Sequence, residues 1–251
     1  MTMGTKNGLI LVTGGSRGIG AETVLLFAQE GYDVCFTYLN QAAAADEVVQ
    51  KVRSQGGRAW GIQADAGDAE AAESLLGRIP SDAGPLVALV NNAGITGPLG
   101  AFLNTDLASI RRVYEVNVLG TFALTQQVAK RWIESGANGS IVNVSSIAAT
   151  LGAPGEYVHY AASKAAIEAF TIGLGKELAS QGVRVNCGSP GTSLTGIHAA
   201  AGEPDRAARV ASKIPMGRAG EPQEIAEAIS WLVSPRSSYV TGAVLRVSGG
   251  L

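Results

Sequence analysis

Cysteine and histidine are scarce in this 251-residue chain, at two each, and charged residues make up only 16% of it. Cys35 and Cys187 both lie in apolar, strand-like stretches, which argues against a disulfide framework and suits buried thiols in a reducing compartment. With His159 and His198 as the only imidazoles, a zinc site lacks ligands, and no metal is expected. Lys and Arg number 19 against 21 Asp and Glu, for a net charge of −2, and no basic run stands out. Nucleic acid is therefore disfavoured as a partner. Long apolar runs are missing too: the one at Leu9–Val12 ends at Gly14, and none approaches the ~18 residues that span a bilayer. No leader of basic, apolar and small segments precedes that run. A cytoplasmic protein with neither membrane nor nucleic-acid partner is the expectation.

Hydrophobic residues are plentiful at 46%, enough to fill a core, and glycine reaches 33 residues, about twice its usual share. No collagen-like period organises the glycines, so they mark tight turns and close backbone approaches. Apolar β-branched runs at 9–13, 34–38, 59–63, 87–91, 140–145, 183–187 and 243–247 read as strands. Helix-period segments near 18–30, 43–55, 68–78, 106–133, 157–180 and 222–233 fall between them. Continuous apolar strands separated by helices imply parallel pairing with right-handed crossovers. The expected fold is α/β: one doubly wound, Rossmann-type, mostly parallel sheet with helices on both faces, spanning residues 1–251 without a linker.

The small-residue-rich stretch 192–215 follows a strand and is read as a lid over the sheet edge where ligands bind. The first strand runs into Thr13-Gly14-Gly15-Ser16-Arg17-Gly18-Ile19-Gly20 and then a helix. Glycines there let the backbone approach a pyrophosphate, and the helix start offers free N–H groups. The spacing Gly14-x-x-x-Gly18-x-Gly20 is neither G-x-G-x-x-G nor a Walker loop.

Two further motifs join it: Asn91-Asn92-Ala93-Gly94, and Tyr160-Ala161-Ala162-Ser163-Lys164 preceded by Asn143-Val144-Ser145-Ser146. With Pro190-Gly191 followed by Thr195, and the final Ser248-Gly249-Gly250, the chain resembles the short-chain dehydrogenase/reductase family from about residue 8 to its end. The i, i+4 spacing puts Tyr160 and Lys164 on one helix face. A phenol with a pKa near 10 is a poor base, and lowering that by ~3 units takes ~4 kcal/mol, which a buried cation and a nicotinamide ring would supply.

The resemblance implies that Tyr160 is the general acid/base, that Ser146 orients the substrate oxygen, and that Lys164 grips the nicotinamide ribose. It implies that Asn117 holds a water linking Lys164 to solvent. Ser146 is chosen over Ser145 because it lies three residues after Asn143. By the same resemblance Asp65 meets the adenine amino group, Ala66 beside it also binds cofactor, Asn92, Ala93 and Gly94 lie along the adenosine, and Ile19 lies against the pyrophosphate loop. Pro190, Gly191 and Thr195 would meet the nicotinamide carboxamide. A helix N-cap is the plainer role for Asp65.

The end of the second strand reads Thr37-Tyr38-Leu39-Asn40-Gln41, without the carboxylate that an NAD enzyme offers the ribose 2′-hydroxyl. Arg17 and Asn40 would instead receive a 2′-phosphate, so NADP(H) is preferred and NAD(H) remains possible. A carbonyl reductase or alcohol dehydrogenase acting on a small molecule leads the readings. A 3-oxoacyl-carrier-protein reductase, with Lys130, Arg131 and Lys176 as a docking patch, and a sugar or polyol dehydrogenase are alternatives. A dinucleotide sensor without turnover is weaker, because Asn117, Ser146, Tyr160 and Lys164 are all present.

The pocket walls, near Thr96, Ala148 and 155–157, read as small and apolar with no charged anchor. His159 is expected on the helix surface, and His198 in the lid, exposed or touching substrate. Trp60, Trp132 and Trp231 read as packing residues. Small residues at Ala162, Ala166, Ala169 and Gly173 suit close approach of a partner helix, and the resemblance implies a homotetramer.

Overall fold

The computed structural model describes residues 7–251. In chain order they form β1 (Leu9–Val12), α1 (Gly18–Gln29), β2 (Asp33–Tyr38), α2 (Ala42–Ser54), β3 (Arg58–Gln63), α3 (Ala72–Gly77) and β4 (Leu86–Asn91). Then come α4 (Leu107–Tyr114), α5 (Gly120–Ser135), β5 (Gly139–Val144), α6 (Ala148–Leu151), α7 (Val158–Leu178) and β6 (Val183–Pro190). The chain ends with α8 (Ile197–Ala200), α9 (Arg206–Val210), α10 (Pro222–Val233) and β7 (Val244–Val247).

The strands of the described residues join one seven-stranded sheet in the order β3-β2-β1-β4-β5-β6-β7, and every pairing is parallel. After β3 the chain crosses back to pair β4 with β1. The order reverses there, which opens a crevice at the carboxyl ends of the strands. Both faces are covered, so the strands are apolar on each side. Ile10, Phe36, Val90 and Val142 pack with Phe27 of α1 and Ile229 of α10 on one face. Leu11, Leu89 and Ile141 pack with Leu124 and Trp132 of α5 on the other.

Three details depart from the sequence reading. The third helix is shorter than 68–78, because Asp68 folds its carboxylate back onto the Ala71 N–H at 3.1 Å and the chain turns until residue 72. The span 106–133 is interrupted by a π-helical turn at Glu115–Leu119, between α4 and α5. His159 is buried rather than on the surface. The 94–97 loop covers that side of α7, and His159 Nε2 bonds the Thr96 carbonyl at 2.9 Å.

The packing expectations hold: Trp132 is buried with its Nε1 donating to the Leu86 carbonyl at 2.7 Å, and Trp60 and Trp231 lean on the core. Cys35 and Cys187 are free and buried. Among the described residues no helix is long and apolar enough to cross a membrane.

A buried polar chain fixes the layer below the crevice. Asn91 Nδ2 donates to Thr125 Oγ1 at 2.9 Å and to Asn143 Oδ1 at 2.8 Å, while Asn143 Nδ2 donates to Thr171 Oγ1 at 2.9 Å. These bonds tie α5 and α7 to the ends of β4 and β5. The helices carrying Asn117 and Tyr160 are thereby held in register with the strands.

Candidate active site

A cavity of about 710 Å³ opens at the carboxyl edge of the sheet. Its floor is the glycine loop after β1. Gly14 and Gly18 take left-handed φ values of +67° and +54°, where side chains are strained. Gly15 packs so closely on Phe36 that a Cβ would sit 2.5 Å from that side chain. At Gly20 a Cβ would strike the Gly14 carbonyl and come within 2.5 Å of Asn92 Nδ2. The loop is pinned by Gly15 N–H to the Thr37 carbonyl at 2.9 Å, and by Gly14 N–H to Thr37 Oγ1 at 3.2 Å. Helix α1 begins without a side-chain cap, so its first N–H groups remain available. This bare, glycine-lined cradle at a helix start fits the diphosphate of a dinucleotide.

The other expected cofactor residues gather around the same cavity. Ser16, Arg17, Ile19, Asn40, Ala66, Ala93, Gly94, Pro190 and Gly191 all line it. Thr195 crosses the glycine loop, with Cγ2 3.2 Å from where a Gly18 Cβ would lie. Asn92 lines the cavity but its amide is turned inward, donating to the Thr13 and Gly14 carbonyls at 2.9 and 3.0 Å. It braces the loop with its side chain, and only its remaining surface lines the cavity.

Asp65 caps no helix. Its carboxylate accepts both hydrogen bonds from Arg112 Nη2, at 2.6 and 2.7 Å, and one from the Gly67 N–H at 2.8 Å. Partial burial works to raise the Asp65 pKa; the bonds from Arg112 and Gly67 outweigh it and hold the carboxyl below its ordinary value. At the end of β2, Thr37, Tyr38, Leu39, Asn40 and Gln41 face the cavity without a carboxylate. Asp33 sits at the far end of that strand, paired with Arg58 at 2.6 Å.

The chemistry-bearing residues converge where α7 passes the ends of β4 and β5. Lys164 is buried and its Nζ donates to the Val144 carbonyl at 2.7 Å. Nζ lies 5.8 Å from the centre of the Tyr160 ring, one helical turn away as the spacing requires. Burial lowers the Lys164 pKa to about 8 and pushes that of Tyr160 up to about 12, against a smaller lowering by the Ser146 hydroxyl beside it. In the protein alone, desolvation of the phenol therefore outweighs the Ser146 bond and the Arg206 charge, and the net shift is upward, opposite to the lowering expected from the sequence.

Ser146 accepts from the Ala148 N–H at 3.2 Å and lines the cavity. Ser145 points the other way, donating to Glu168 Oε1 at 2.9 Å. Of the two, Ser146 is thus the one set beside Tyr160. Asn117 lies in the π turn, where the widened helix brings its amide to the backbone of Ile95 and, through Nδ2, to Ser163 Oγ at 3.0 Å.

The substrate side is more polar than the sequence suggested. Glu156, Tyr157 and Arg206 line it, and Arg206 of α9 pairs with Glu156 at 2.5 Å. Ala153, just before them, holds a left-handed φ of +45° without being glycine. The stretch 192–215 folds into α8, α9 and a 3₁₀ turn at Ala211–Lys213 and walls the cavity. His198 is buried inside it, with Nε2 3.0 Å from the Ser193 carbonyl. Lys130, Arg131 and Lys176 stand at the carboxyl ends of α5 and α7, by the amino edge of the sheet and away from the cavity. They make no docking patch at its mouth. Arg112 and Arg206 went unremarked in the sequence because each meets its partner only through the fold.

A doubly wound sheet with this cavity and these residues defines a dinucleotide-linked oxidoreductase. Residues 14–251 match the family model described as enoyl-(acyl carrier protein) reductase. The chain is 48% identical over 244 residues to the uncharacterized oxidoreductase YgfF of Escherichia coli (strain K12), covering 96% of this chain and 99% of that one. It is 34% identical over 244 residues to an L-rhamnose 1-dehydrogenase (NAD(P)(+)) of Sphingomonas sp. (strain SKA58), covering 96% and 95%. A short-chain dehydrogenase from Burkholderia cenocepacia J2315, solved in complex with NADP, superposes with a TM-score of 0.87 at 33% identity over 96% of each chain. The chain belongs to the short-chain dehydrogenase/reductase family of oxidoreductases.

Proposed function

We propose that the protein moves a hydride between NADP(H) and the carbonyl or secondary-alcohol carbon of a small substrate, with Tyr160 as general acid/base. The observation that carries this reading is the meeting of Ser146, Tyr160 and Lys164 in the cavity floored by the glycine loop. When bound, the dinucleotide supplies or takes up the hydride. Tyr160 exchanges the proton at the substrate oxygen; a pKa near 12 keeps it a neutral O–H donor at neutral pH, the form that reduction requires. Ser146 donates to the same oxygen and fixes its approach. Lys164, charged below about pH 8, grips the ribose hydroxyls, and Asn117 links it to solvent through a water.

Gly14, Ser16, Gly18, Ile19 and Gly20 cradle the diphosphate; Asp65, Ala66, Asn92, Ala93 and Gly94 take the adenosine. Pro190, Gly191 and Thr195 take the carboxamide. The Arg17 side chain makes no hydrogen bond or ion pair with a described residue and is exposed at the loop, so with Asn40 it is free to meet a 2′-phosphate. That supports NADP(H) over NAD(H), as does the NADP named with the Burkholderia structure. Following cofactor absorbance with a panel of ketones tests the reading. Turnover with a higher kcat/KM for NADPH than NADH is expected; no turnover with either overturns the reductase reading, and a preference for NADH overturns the cofactor assignment.

Oxidation of a sugar or polyol is the second reading, favoured by the L-rhamnose dehydrogenase relative, and uses the same residues in reverse. We also propose a cytoplasmic homotetramer acting without nucleic acid or membrane, as one domain with 192–215 as substrate lid. Free, buried thiols suit a reducing compartment. Ala162, Ala169 and Gly173 lie exposed along α7, with Ile172 40% exposed among them, as a helix that packs on a partner would. Light scattering is expected to give four times the 25.6 kDa chain mass; a monomer at micromolar concentration contradicts it.

A further inference from the structure

The substrate wall holds a cation that the reaction itself does not need. The Arg206 side chain is only 10% exposed. Its Nε and Nη2 both donate to Glu156 Oε2, at 3.2 and 2.5 Å, and its guanidinium lies 5.2 Å from the centre of the Tyr157 ring. Tyr157 meets Tyr160 edge to face, with ring centres 5.2 Å apart. The second Glu156 oxygen is taken by Arg209, which also pairs with Glu203. Nη1 of Arg206, with two N–H donors, is left without a hydrogen-bond partner among the described residues. The residue lines the same cavity as Ser146 and Tyr160. Nη1 is thus the edge of a mostly buried side chain that still reaches the solvent of the cavity; it gains from an oxygen acceptor and loses when an apolar group displaces that solvent.

We propose that Arg206 determines specificity: Nη1 donates to a second, uncharged oxygen of the substrate, apart from the reacting carbonyl, and so selects hydroxylated ketones over hydrocarbon ketones of the same shape. The uncharged character follows from the local balance. Arg206 and Arg209 already face Glu156 and Glu203, so a substrate carboxylate would add an unmatched negative charge beside Glu156. The inference rests on the reductase reading of the site. A site built to hydrogen-bond a hydroxyl discriminates strongly against the analogue that lacks it.

The test pairs 2-ketones carrying a terminal hydroxyl, over a series of chain lengths, with the ketones that have methyl in its place. Each pair is compared by kcat/KM with NADPH and, separately, by calorimetric titration into the protein loaded with NADP⁺. At the best length the wild type is expected to favour the hydroxyketone by roughly tenfold or more in both measurements. Arg206→Met is expected to bring both ratios close to one, and Arg209→Ala to leave them in place. Glu156→Gln, which removes the opposing charge, is expected to raise kcat/KM for the matching keto acids. No preference at any length, or a preference that survives Arg206→Met, overturns the assignment. If no ketone is turned over, the reductase reading fails, and the calorimetric ratio alone still decides the role of Arg206.

Discussion

Asn117 clasps the backbone of Ile95 from both sides: its Oδ1 accepts the Ile95 N–H at 2.9 Å, and its Nδ2 donates to the Ile95 carbonyl at 2.9 Å. The π turn at Glu115–Leu119 makes this reach available, as such turns do at functional sites. Gly94 allows it from the other side, since a Cβ there would lie 3.3 Å from Asn117 Oδ1 and 3.2 Å from Lys164 Nζ. One buried amide thus joins the π turn, the backbone of Ile95 after β4 and, through Ser163, helix α7.

Replacing that amide by a hydrocarbon leaves the partly buried Ile95 N–H and carbonyl without partners, at up to about 1–3 kcal/mol each. Asn117→Leu is expected to lose about 2–4 kcal/mol of stability, seen as a Tm lower by roughly 5–15 °C, and at least tenfold in kcat. Thermal unfolding beside single-turnover kinetics checks both. An unshifted Tm contradicts the clasp.

The Asp65–Arg112 pair has a different balance. Both side chains are more than a third exposed, at 36% and 37%, so solvent leaves such a pair worth less than about 1 kcal/mol to stability. Its effect is expected in binding, since both residues line the cavity. Arg112→Leu is expected to change Tm by only a few degrees while weakening NADPH binding severalfold, measured by fluorescence titration. The opposite pattern, a large loss of stability with unchanged affinity, would make the pair purely structural.

Arg17→Ala is expected to weaken NADPH binding by about tenfold, the worth of one charge-assisted contact of ~1–2 kcal/mol, with NADH affinity within a factor of two. Equal losses for both cofactors place Arg17 elsewhere.

The pH profiles follow from the two buried groups. Burial raises the Tyr160 pKa to about 12, so the proton donor for reduction stays loaded through neutral pH and is lost only at strongly alkaline pH. The Lys164 pKa is lowered to about 8, so its charge is present below pH 8 and fades above it. Reduction is expected to hold a level kcat from pH 6 to 8 while the KM for NADPH rises above pH 8. A KM that stays flat to pH 10 contradicts Lys164 as the ribose grip.

Much of this site was legible because its motifs are local. The glycine loop, the 91–94 turn and the Tyr160–Lys164 pair each act within a single turn or helix, where spacing fixes geometry. The strands were equally clear, since a sheet buried on both faces leaves uninterrupted apolar runs. Contacts made by the fold itself were not. Arg112 and Asp65 are 47 residues apart, and Arg206 and Glu156 are 50, with no periodicity to pair them. His159 misled because helical alternation says which face a residue takes, and here a loop covers the second face. The π turn left no mark in a sequence that reads as one continuous helix.

The most direct test of the account is turnover by Tyr160→Phe with the cofactor affinity measured on the same protein. The phenol acts only where the substrate oxygen changes charge, so kcat is expected to fall by about 10²–10⁴ while the Kd for NADPH stays within a factor of two. A variant that keeps near-normal kcat contradicts Tyr160 as the acid/base and with it the central claim.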